Sequence, residues 1–361
     1  LLARFSKKRW LFITWIFRII ELNNPFRETV GLIKSFRIKK VSNQRLKTRI
    51  KKNTESELKT FHSTILDSNP LISVIIPTLN RYDHLKNVLK DLEKQDYKNL
   101  EIIIVDQSDN FDREFYSNWI LDIKYIRQEE KALWLARNQA VKNSRGDFIL
   151  LSEDDVRFNH NFISDHLKII DFYNCDISNG PLLPIGTSLH SKKGGFKISD
   201  QFPAGNSMLK RKVFEKVGLF DRQFEKQRMG DGEFGTRCYI YGLFAVLNPL
   251  SPCIDVKATS GGLREMGSWD SWRPKSIFSL RPIPSVLYYS RKYWGHKLSI
   301  INAVLTLPRS ISPYSLKKSV FGKLLSYFLF ILFFPMFLVQ FIISWRTATK
   351  MLIQGELIDN L

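Results

Sequence analysis

The chain has 361 residues, of which 44% are hydrophobic and 25% charged, and its formal net charge is +20. This apolar content is typical of a globular protein, and it excludes the disordered, collagen-like and coiled-coil classes. The 3 cysteines lie far apart in the sequence, which excludes a disulfide framework and a Cys-x-x-Cys metal site.

The positive charge is concentrated at the two ends of the chain. Residues 1–60 hold 16 basic and 4 acidic residues, residues 61–299 hold 33 and 29, and residues 300–361 hold 6 and 2. A nucleic-acid-binding protein spreads basic residues over its working face, whereas the long middle of this chain is nearly balanced. We therefore expect no nucleic-acid partner.

The N-terminal extension, residues 1–69, combines an apolar run with a basic one. Trp10–Ile20 is too short to cross a bilayer, and Lys7–Arg9 precede it, which favours an amphipathic helix in the lipid headgroup layer. Lys34–Lys52 contains 9 basic residues and no acidic one, which suits an anionic membrane surface. A solvated basic linker is the alternative for this second stretch.

From Pro70 onward the pattern alternates between strands and helices. Short β-branched runs predict strands at 71–76, 100–105, 123–126 and 147–151. Apolar residues at helical spacing predict helices over 82–93 and 132–144. This alternation predicts an α/β fold with a mostly parallel sheet flanked by helices.

Polar side chains follow three of the predicted strands. They are Thr78 and Asn80 after the first strand, Asp106 after the second, and Glu153-Asp154-Asp155 after the fourth. Parallel sheets bind ligands at the carboxyl ends of their strands, so we expect these side chains to converge on a polar ligand.

The C-terminal region, residues 266–361, contains an apolar segment. Leu324–Trp345 is 22 residues long without a charge, and it is therefore long enough to cross a hydrocarbon core of about 30 Å. Pro335 near its middle predicts either a kinked spanning helix or a segment that enters the membrane and returns. A buried core helix is the alternative.

Five motifs then suggest a family. PTLNR at 77–81, VDQSDN at 105–110, ARN at 136–138, GDFILLSEDD at 146–155 and GLFDRQF at 218–224 resemble, in their order and spacing, the family 2 glycosyltransferases. Members of that family are inverting enzymes of the GT-A fold that use nucleotide-diphosphate sugars. The resemblance covers 70–265, with 70–160 as the nucleotide-sugar half and 161–265 as the acceptor half.

The resemblance implies roles for particular residues. The nucleotide-sugar site would be formed by Pro77, Thr78, Asn80, Asp106, Arg137 and Asp154. Asp106 would accept a hydrogen bond from the nucleobase. Asp155 would ligate Mg²⁺ or Mn²⁺, and Glu153 would fill the first acidic position of the same motif. Hard oxygen ligands of this kind suit both ions.

The resemblance also places a catalytic base in Gly230–Gly235. The family position maps to Asp231, which would take the proton of the acceptor hydroxyl on the face opposite the leaving group. Glu233 is the second candidate. Gly230 stands where relatives commonly have Glu, so the motif leaves the choice between the two carboxylates open.

Together these features predict a membrane-associated, metal-dependent inverting glycosyltransferase. The donor would be a nucleotide-diphosphate sugar, and the acceptor a hydroxyl of a polysaccharide or glycolipid precursor. We expect it on the cytoplasmic face of the cell membrane, attached through the apolar segment 324–345 and through the N-terminal amphipathic helix. The alternative is a non-catalytic membrane scaffold that retains the nucleotide-sugar-binding fold.

Overall fold

The computed structural model of the protein describes residues 8–20, 24–37, 55–187, 195–199, 201–258, 261–262, 272, 274, 276–312, 316 and 319–361. The first two helices of the N-terminal extension are α1 (Lys8–Ile20) and α2 (25–37). Phe12 and Ile20 on α1 are exposed apolar side chains, as the predicted amphipathic helix requires. Most of the basic stretch Lys34–Lys52 lies outside the described residues.

The strands of the described residues are β1 (Ile72–Thr78), β2 (Leu100–Asp106), β3 (Asp122–Arg127), β4 (Phe148–Leu151), β5 (Val156–Phe158), β6 (Ile177–Asn179), β7 (Leu182–Pro184), β8 (Lys197–Ile198), β9 (Ser207–Lys210), β10 (Ala245–Leu247) and β11 (Cys253–Asp255). The remaining α-helices are α3 (Glu55–Thr60), α4 (Thr64–Ser68), α5 (Tyr82–Glu93), α6 (Leu133–Lys142), α7 (Phe162–Phe172), α8 (Lys212–Val217), α9 (Gly230–Ile240), α10 (Pro284–Thr306), α11 (Val320–Leu332) and α12 (Phe334–Gln354). The strands and helices predicted between 71 and 151 are confirmed, with small differences at their ends.

An eight-stranded sheet forms the centre of the molecule, in the order β3-β2-β1-β4-β9-β6-β10-β8. Its first four strands are parallel, which confirms the predicted α/β arrangement. The second half is mixed, because β9 runs antiparallel to both β4 and β6 and β8 is antiparallel to β10. A smaller sheet, in the order β5-β11-β7, lies beside it.

Both faces of the central sheet are covered by apolar side chains. Along β1, Ile72, Val74 and Ile76 join one core cluster, while Ile75 between them joins the other. Successive side chains of a strand point to opposite faces, so a continuous apolar run fits a strand that is buried on both sides. Thr78 and Asp106 are paired in register, which sets the polar strand ends side by side at one edge.

The C-terminal region packs partly into the same core. Ala348 and Met351 of α12 belong to the cluster that also contains Phe220, and Leu361 packs against that cluster. The tail is hydrogen-bonded to the body, because the backbone N–H groups of Leu219 and Arg222 donate to Asp359 and Leu357.

The predicted apolar segment 324–345 is divided between two helices. α11 and α12 meet at Phe333 with a bend of 84°. Pro335 lies in the first turn of α12, where its missing N–H removes no helical hydrogen bond. Among the described residues, a length and hydropathy suited to crossing a bilayer are found for this bent pair taken together and for no single helix.

Candidate functional site

A cleft of about 1090 Å³ opens at the carboxyl ends of β1 and β4 and faces the start of α9. Most of the residues predicted for the site line it, namely Pro77, Thr78, Arg137, Glu153, Asp154, Asp155 and Asp231. Asn80, Asp106 and Glu233 are not among its lining residues. The fold therefore brings most of the predicted groups to one cavity, and it places three of them outside its wall.

Two aspartates after β4 are held by a single arginine. Arg81 Nη1 lies 3.1 Å from Asp154 Oδ1 and 3.2 Å from Asp155 Oδ2, and all three side chains are buried. Thr78 Oγ1 donates to Asp154 Oδ2 at 2.8 Å. Burial raises the pKa of Asp154 above its ordinary value, although the charge of Arg81 opposes this shift. The strand end thus carries two carboxylates and one fixed cation.

Asp155 keeps one oxygen available towards a ligand. Its Oδ2 accepts from Arg81 and from the Ala258 N–H at 3.1 Å, whereas Oδ1 accepts no hydrogen bond from the part of the chain that the structure describes. No three His, Cys, Asp or Glu side chains of those residues lie close enough to hold a metal ion between them. Mg²⁺ is commonly bound by one or two carboxylates together with substrate phosphates, so this donor set fits a cation completed by a diphosphate.

Glu153 points to the other side of the cleft from this pair. Arg137 Nη2 lies 3.8 Å from Glu153 Oε1, and Arg137 Nη1 donates to the carbonyl of Ala204. Gly205 allows this packing, because a Cβ there would lie 2.7 Å from the carboxyl carbon of Glu153. Burial lowers the pKa of Arg137, and the carboxylates of Glu153 and Asp231 oppose that shift. The charge of Arg137 therefore interacts with Glu153 at the strand ends and with Asp231 at the start of α9. We call these two sides of the cleft the strand-end rim and the helix rim.

Asp231 begins α9 on the opposite rim. Its Oδ1 accepts from the N–H of Gly232 at 2.7 Å, and no side-chain donor among the described residues bonds it. Burial raises the pKa of Asp231 above its ordinary value. Packing explains why the preceding residue is Gly230, since a Cβ at this position would lie 2.4 Å from the indole ring of Trp134. Gly230 thus allows the start of α9 to pack against Trp134, and Asp231 next to it lines the cleft.

Glu233 has a different environment from Asp231. It is fully buried, and it accepts hydrogen bonds from Arg237 Nε at 3.0 Å, Lys292 Nζ at 2.9 Å and Tyr293 Oη at 2.6 Å. Two positive charges and a hydroxyl therefore saturate its carboxylate. These contacts join α9 to α10 and occupy three of the roughly four acceptor sites of the carboxylate, so that Glu233 is held by its neighbours.

Asp106 is likewise buried and fully partnered. Its Oδ2 accepts from Tyr82 Oη at 2.5 Å and Tyr116 Oη at 2.8 Å, and its Oδ1 accepts from the Ser108 N–H at 2.8 Å. The next residue, Gln107, lines the cleft instead. The Ala132 N–H donates to Gln107 Oε1 at 2.7 Å, and the buried Nε2 of Gln107 has no hydrogen-bond partner among the described residues.

Sequence reasoning missed Arg81 and Gln107 as site residues. Arg81 is the last residue of the PTLNR motif and directly follows Asn80. Its position in this motif was the signal that could have identified it as a site residue. Gln107 directly follows Asp106. Only the tertiary structure shows that Gln107, and not Asp106, lines the cleft.

Parts of the sequence are similar to known proteins. Residues 73–221 match the sequence model of the family described as Glycosyl transferase family 2. The chain is 29% identical over 163 residues to glycosyltransferase GlyA of Streptococcus pneumoniae, covering 44% of this chain and 22% of that protein. It is 27% identical over 226 residues to the hyaluronan synthase of Pasteurella multocida, covering 48% and 23%. The chain thus spans less than a quarter of the length of these two relatives.

Solved structures with the same architecture include two transferases. Residues 1–349 of TarS from S. aureus, in complex with UDP-GlcNAc, superpose with a TM-score of 0.52 at 17% identity over 77% of this chain and 81% of that one. The mannosyltransferase PcManGT of Pyrobaculum calidifontis, in complex with GDP-Man and Mn²⁺, gives a TM-score of 0.51 at 14% identity over 82% and 91%. At these identities the likeness concerns the fold. Residues 73–221, which are less than half of the chain, thus resemble glycosyl transferase family 2, and the fold is of the GT-A type.

Proposed function

We propose that the protein is a membrane-associated, metal-dependent inverting glycosyltransferase. It moves a sugar from a nucleotide-diphosphate sugar to a hydroxyl of a polysaccharide or glycolipid precursor. One observation carries this proposal, which is that Asp155, Arg137 and Asp231 line the same cleft. Groups suited to a diphosphate and a group suited to an acceptor hydroxyl therefore face one volume.

The donor lies along the strand ends in this proposal. Pro77 and Thr78 form the wall beside the nucleoside, and the unpaired amide N–H of Gln107 offers a donor to a carbonyl oxygen of the base. Asp106 accepts from a base N–H only if that group replaces a tyrosine hydroxyl. Arg81 holds the two aspartates in place, and the free oxygen of Asp155 is directed to the metal.

The leaving group gains negative charge as the bond between sugar C1 and the diphosphate oxygen breaks. A bound Mg²⁺ or Mn²⁺ supplies Lewis-acid stabilisation of that charge. The buried cation Arg137 contributes positive potential in the same cleft, where the low dielectric strengthens the interaction. These groups act on the diphosphate side only.

The acceptor reacts from the opposite rim. Its hydroxyl oxygen attacks C1, the electron pair of the broken C1–O bond leaves with the diphosphate, and Asp231 takes the hydroxyl proton. A base on the face opposite the leaving group gives inversion at C1. Asp231 suits this role better than Glu233, because its carboxylate accepts only from a backbone N–H in the described residues, whereas that of Glu233 is saturated.

Membrane association follows in this proposal from the apolar helices α11 and α12 and from the basic ends of the chain. Their position brings the cleft close to lipid-borne acceptors on the cytoplasmic face. The scaffold alternative has less support, because Asp231 lines the cleft and Gly230 has a packing reason.

The proposal is tested by a panel of nucleotide sugars with Mn²⁺ or Mg²⁺, scored by thermal stabilisation and then by transfer. A ligand at 100 times its dissociation constant adds about 2.7 kcal/mol to the free energy of unfolding, which is readily measured. We expect one donor to stabilise the protein in a metal-dependent manner. Absence of stabilisation by every donor would contradict the proposal, and donor binding without transfer or hydrolysis would favour the scaffold.

Asp155→Asn gives the sharper test of the metal assignment. We expect it to abolish the metal-dependent part of both stabilisation and transfer. Asp147→Asn is the matched control, because Asp147 is an exposed aspartate beside the other end of β4. Metal-dependent turnover at the wild-type level in Asp155→Asn would remove Asp155 as a ligand.

A further inference from the structure

The C-terminal helices expose a large apolar surface. We call α11 and α12, which meet at Phe333, the elbow. Phe321, Leu324, Phe328 and Leu332 on α11 are exposed, as is Ile331, with 75% of its surface accessible. Val339 on α12 continues this surface. Soluble monomers rarely expose contiguous apolar patches of this kind, so the elbow is suited to contact an apolar partner.

Both limbs of the elbow are fixed to the same body of the protein. On the first limb, the Ser312 N–H donates to the buried Ser326 Oγ at 2.9 Å. On the second, Gln340 Nε2 donates to the Ile277 carbonyl at 2.7 Å. Beyond Gln340, α12 returns into the main core through Ala348 and Met351. The chain thus leaves the body and comes back to it on one side.

The free part of the elbow is too short to cross a bilayer. Only six residues lie between Ser326 and the bend at Phe333, and six between the bend and Gln340. At about 1.5 Å per helical residue, each limb reaches roughly 10 Å from its anchor. A hydrocarbon core is about 30 Å thick, whereas interfacial helices lie about 5–10 Å deep.

The charge around the elbow matches an anionic lipid surface. The sequence from 271 to 355 contains 12 Lys and Arg residues and no Asp or Glu. Lys323, Arg346 and Lys350 belong to the elbow helices themselves. Basic side chains next to an exposed apolar surface favour binding to anionic headgroups with insertion of the apolar face.

The elbow is connected to the cleft through α10. Tyr289 near the start of this helix lines the cleft, and its Oη is hydrogen-bonded to Thr236 of α9 at 2.8 Å. Beyond Gly295, where the helix kinks, the same helix exposes Ile300 and Val304. Two helical segments joined at Gly295 thus extend from the cleft to these exposed apolar residues.

We propose that the elbow is a one-leaflet anchor, whose tip enters the anionic leaflet on which the protein rests and returns to the same side without crossing. This inference rests on the membrane association in the proposed function and specifies its geometry. Both ends of the elbow and the catalytic cleft then lie on the same side of the membrane. A lipid-linked acceptor would reach the cleft from the leaflet surface that the elbow contacts.

The first experiment measures binding of the full chain to vesicles of phosphatidylglycerol and phosphatidylcholine, without nucleotide sugar. We expect Ile331→Glu combined with Leu332→Glu to lower vesicle partitioning by at least about tenfold, since two charges would enter the lipid. Ile120→Glu is the matched control, because Ile120 is 96% exposed away from the elbow, and we expect it to bind as wild type. Vesicles of phosphatidylcholine alone should bind the wild type less well.

The second experiment locates the tip and its flanks. The native cysteines Cys175, Cys238 and Cys253 are buried, so single introduced cysteines give a low background. A fluorophore on Phe333→Cys should be quenched by lipids labelled near the headgroup more strongly than by lipids labelled at the bilayer midplane. Cysteines at Ser319 and Thr347, on the two limbs, should both react with an impermeant maleimide added outside the vesicles.

Two results would overturn the proposal. One is unchanged vesicle binding by the double glutamate variant, above all if that variant converts a dimer into a monomer, because the surface would then serve a second copy of the chain. The other is midplane quenching with only one reactive flank, which would indicate a spanning segment. Donor-dependent thermal stabilisation without vesicles is measured on the same variants, so failure of the anchor and failure of the glycosyltransferase proposal are distinguished.

Discussion

The two rims of the cleft hold their acidic side chains in opposite ways. On the strand-end rim, Asp154 and Asp155 share Arg81, and Asp106 accepts from two tyrosines and a backbone N–H. On the helix rim, one carboxylate has all the partners and the other has almost none. Glu233 is saturated by three donors, whereas Asp231 accepts from one backbone N–H.

In the proposed function, this difference would separate nucleotide and metal binding from proton transfer. Carboxylates fixed by cations and hydroxyls keep their positions and charges, which suits the orientation of a metal and a nucleotide. A buried carboxylate with few partners binds a proton more readily, which suits a general base. Two acidic residues only two positions apart on α9 thus have different chemistry because their neighbours differ.

Asp231→Asn is the strongest test of this difference between the two rims. We expect transfer to fall by about 10³-fold, within the range for loss of a general base. Donor binding should change little, because Arg81 and Asp155 are untouched. The measurement is initial transfer rate together with donor-induced thermal stabilisation.

The control for this variant is Asp83→Asn, which changes an exposed aspartate in the first turn of α5. It should retain wild-type transfer. If Asp231→Asn also retains transfer within tenfold of wild type, the helix rim does not supply the base through this residue.

Glu233→Gln tests the other carboxylate of the helix rim. We expect a loss of about 3 kcal/mol in the free energy of unfolding, since the buried Arg237 would lose its counter-charge, whereas Lys292 would keep Asp221 and Glu356. Urea denaturation measures this loss. At low temperature, transfer per folded molecule should remain within tenfold of wild type, because Glu233 does not line the cleft.

Glu215→Gln on α8 serves as its control, since this glutamate is exposed, and its effect should stay within about 0.5 kcal/mol. A wild-type free energy of unfolding in Glu233→Gln would show that the buried network contributes nothing. A loss of transfer as large as that of Asp231→Asn would mean that Glu233 takes part in the transfer reaction.

Tyr116→Phe tests the saturation of the strand-end rim. It removes one of two tyrosine hydroxyls from the buried Asp106, and we expect a cost of about 1.5 kcal/mol in the free energy of unfolding. Tyr125→Phe is the control, because its ring stacks on Tyr116 at 4.8 Å and none of the hydrogen bonds of Asp106 involves it. Equal effects of the two variants would mean that the hydrogen bond from Tyr116 to Asp106 contributes no more to stability than the hydroxyl of Tyr125 does.

The strand-end rim was largely predictable from sequence. The apolar runs before Thr78, Asp106 and Glu153 define strands by composition and length, and parallel pairing then places their ends together. These local sequence features do not show which residues donate hydrogen bonds to the carboxylates. That Tyr82 and Tyr116 saturate Asp106, so that Gln107 meets the cleft, depends on the folding of the 107–116 segment over the sheet edge.

The helix rim was less predictable. The motif around Gly230 left Asp231 and Glu233 open, because both lie in one helical turn and spacing cannot show which carboxylate is covered. The covering groups Lys292 and Tyr293 are about 60 positions away in sequence. Likewise, Pro335 predicted a kink or a return within the apolar run 324–345, but the contacts that hold its two limbs, at Ser326 and Gln340, could not be predicted from the sequence.

The pH dependence of transfer gives the finest test of the two rims. Burial raises the pKa of Asp231 above its ordinary value of 3.8, while Gly232 N–H and the charges of Arg137 and Arg228 oppose the shift. The base acts when deprotonated, so kcat/KM should fall as the pH decreases through a midpoint above 3.8. Removing one opposing charge in Arg228→Gln should move this midpoint further up.

The residual transfer of Asp231→Asn is the decisive comparison for this acid limb. If Asp231 is the group that titrates, the variant has no carboxylate to protonate there, and its low rate should be independent of pH over the same range. An acid limb that persists unchanged in the variant would instead belong to another group. Asp154 on the strand-end rim is the first candidate, because burial raises its pKa as well. The donor dissociation constant separates these cases, since protonation of Asp154 would weaken its pairing with Arg81 and donor binding, whereas protonation of Asp231 would affect transfer alone.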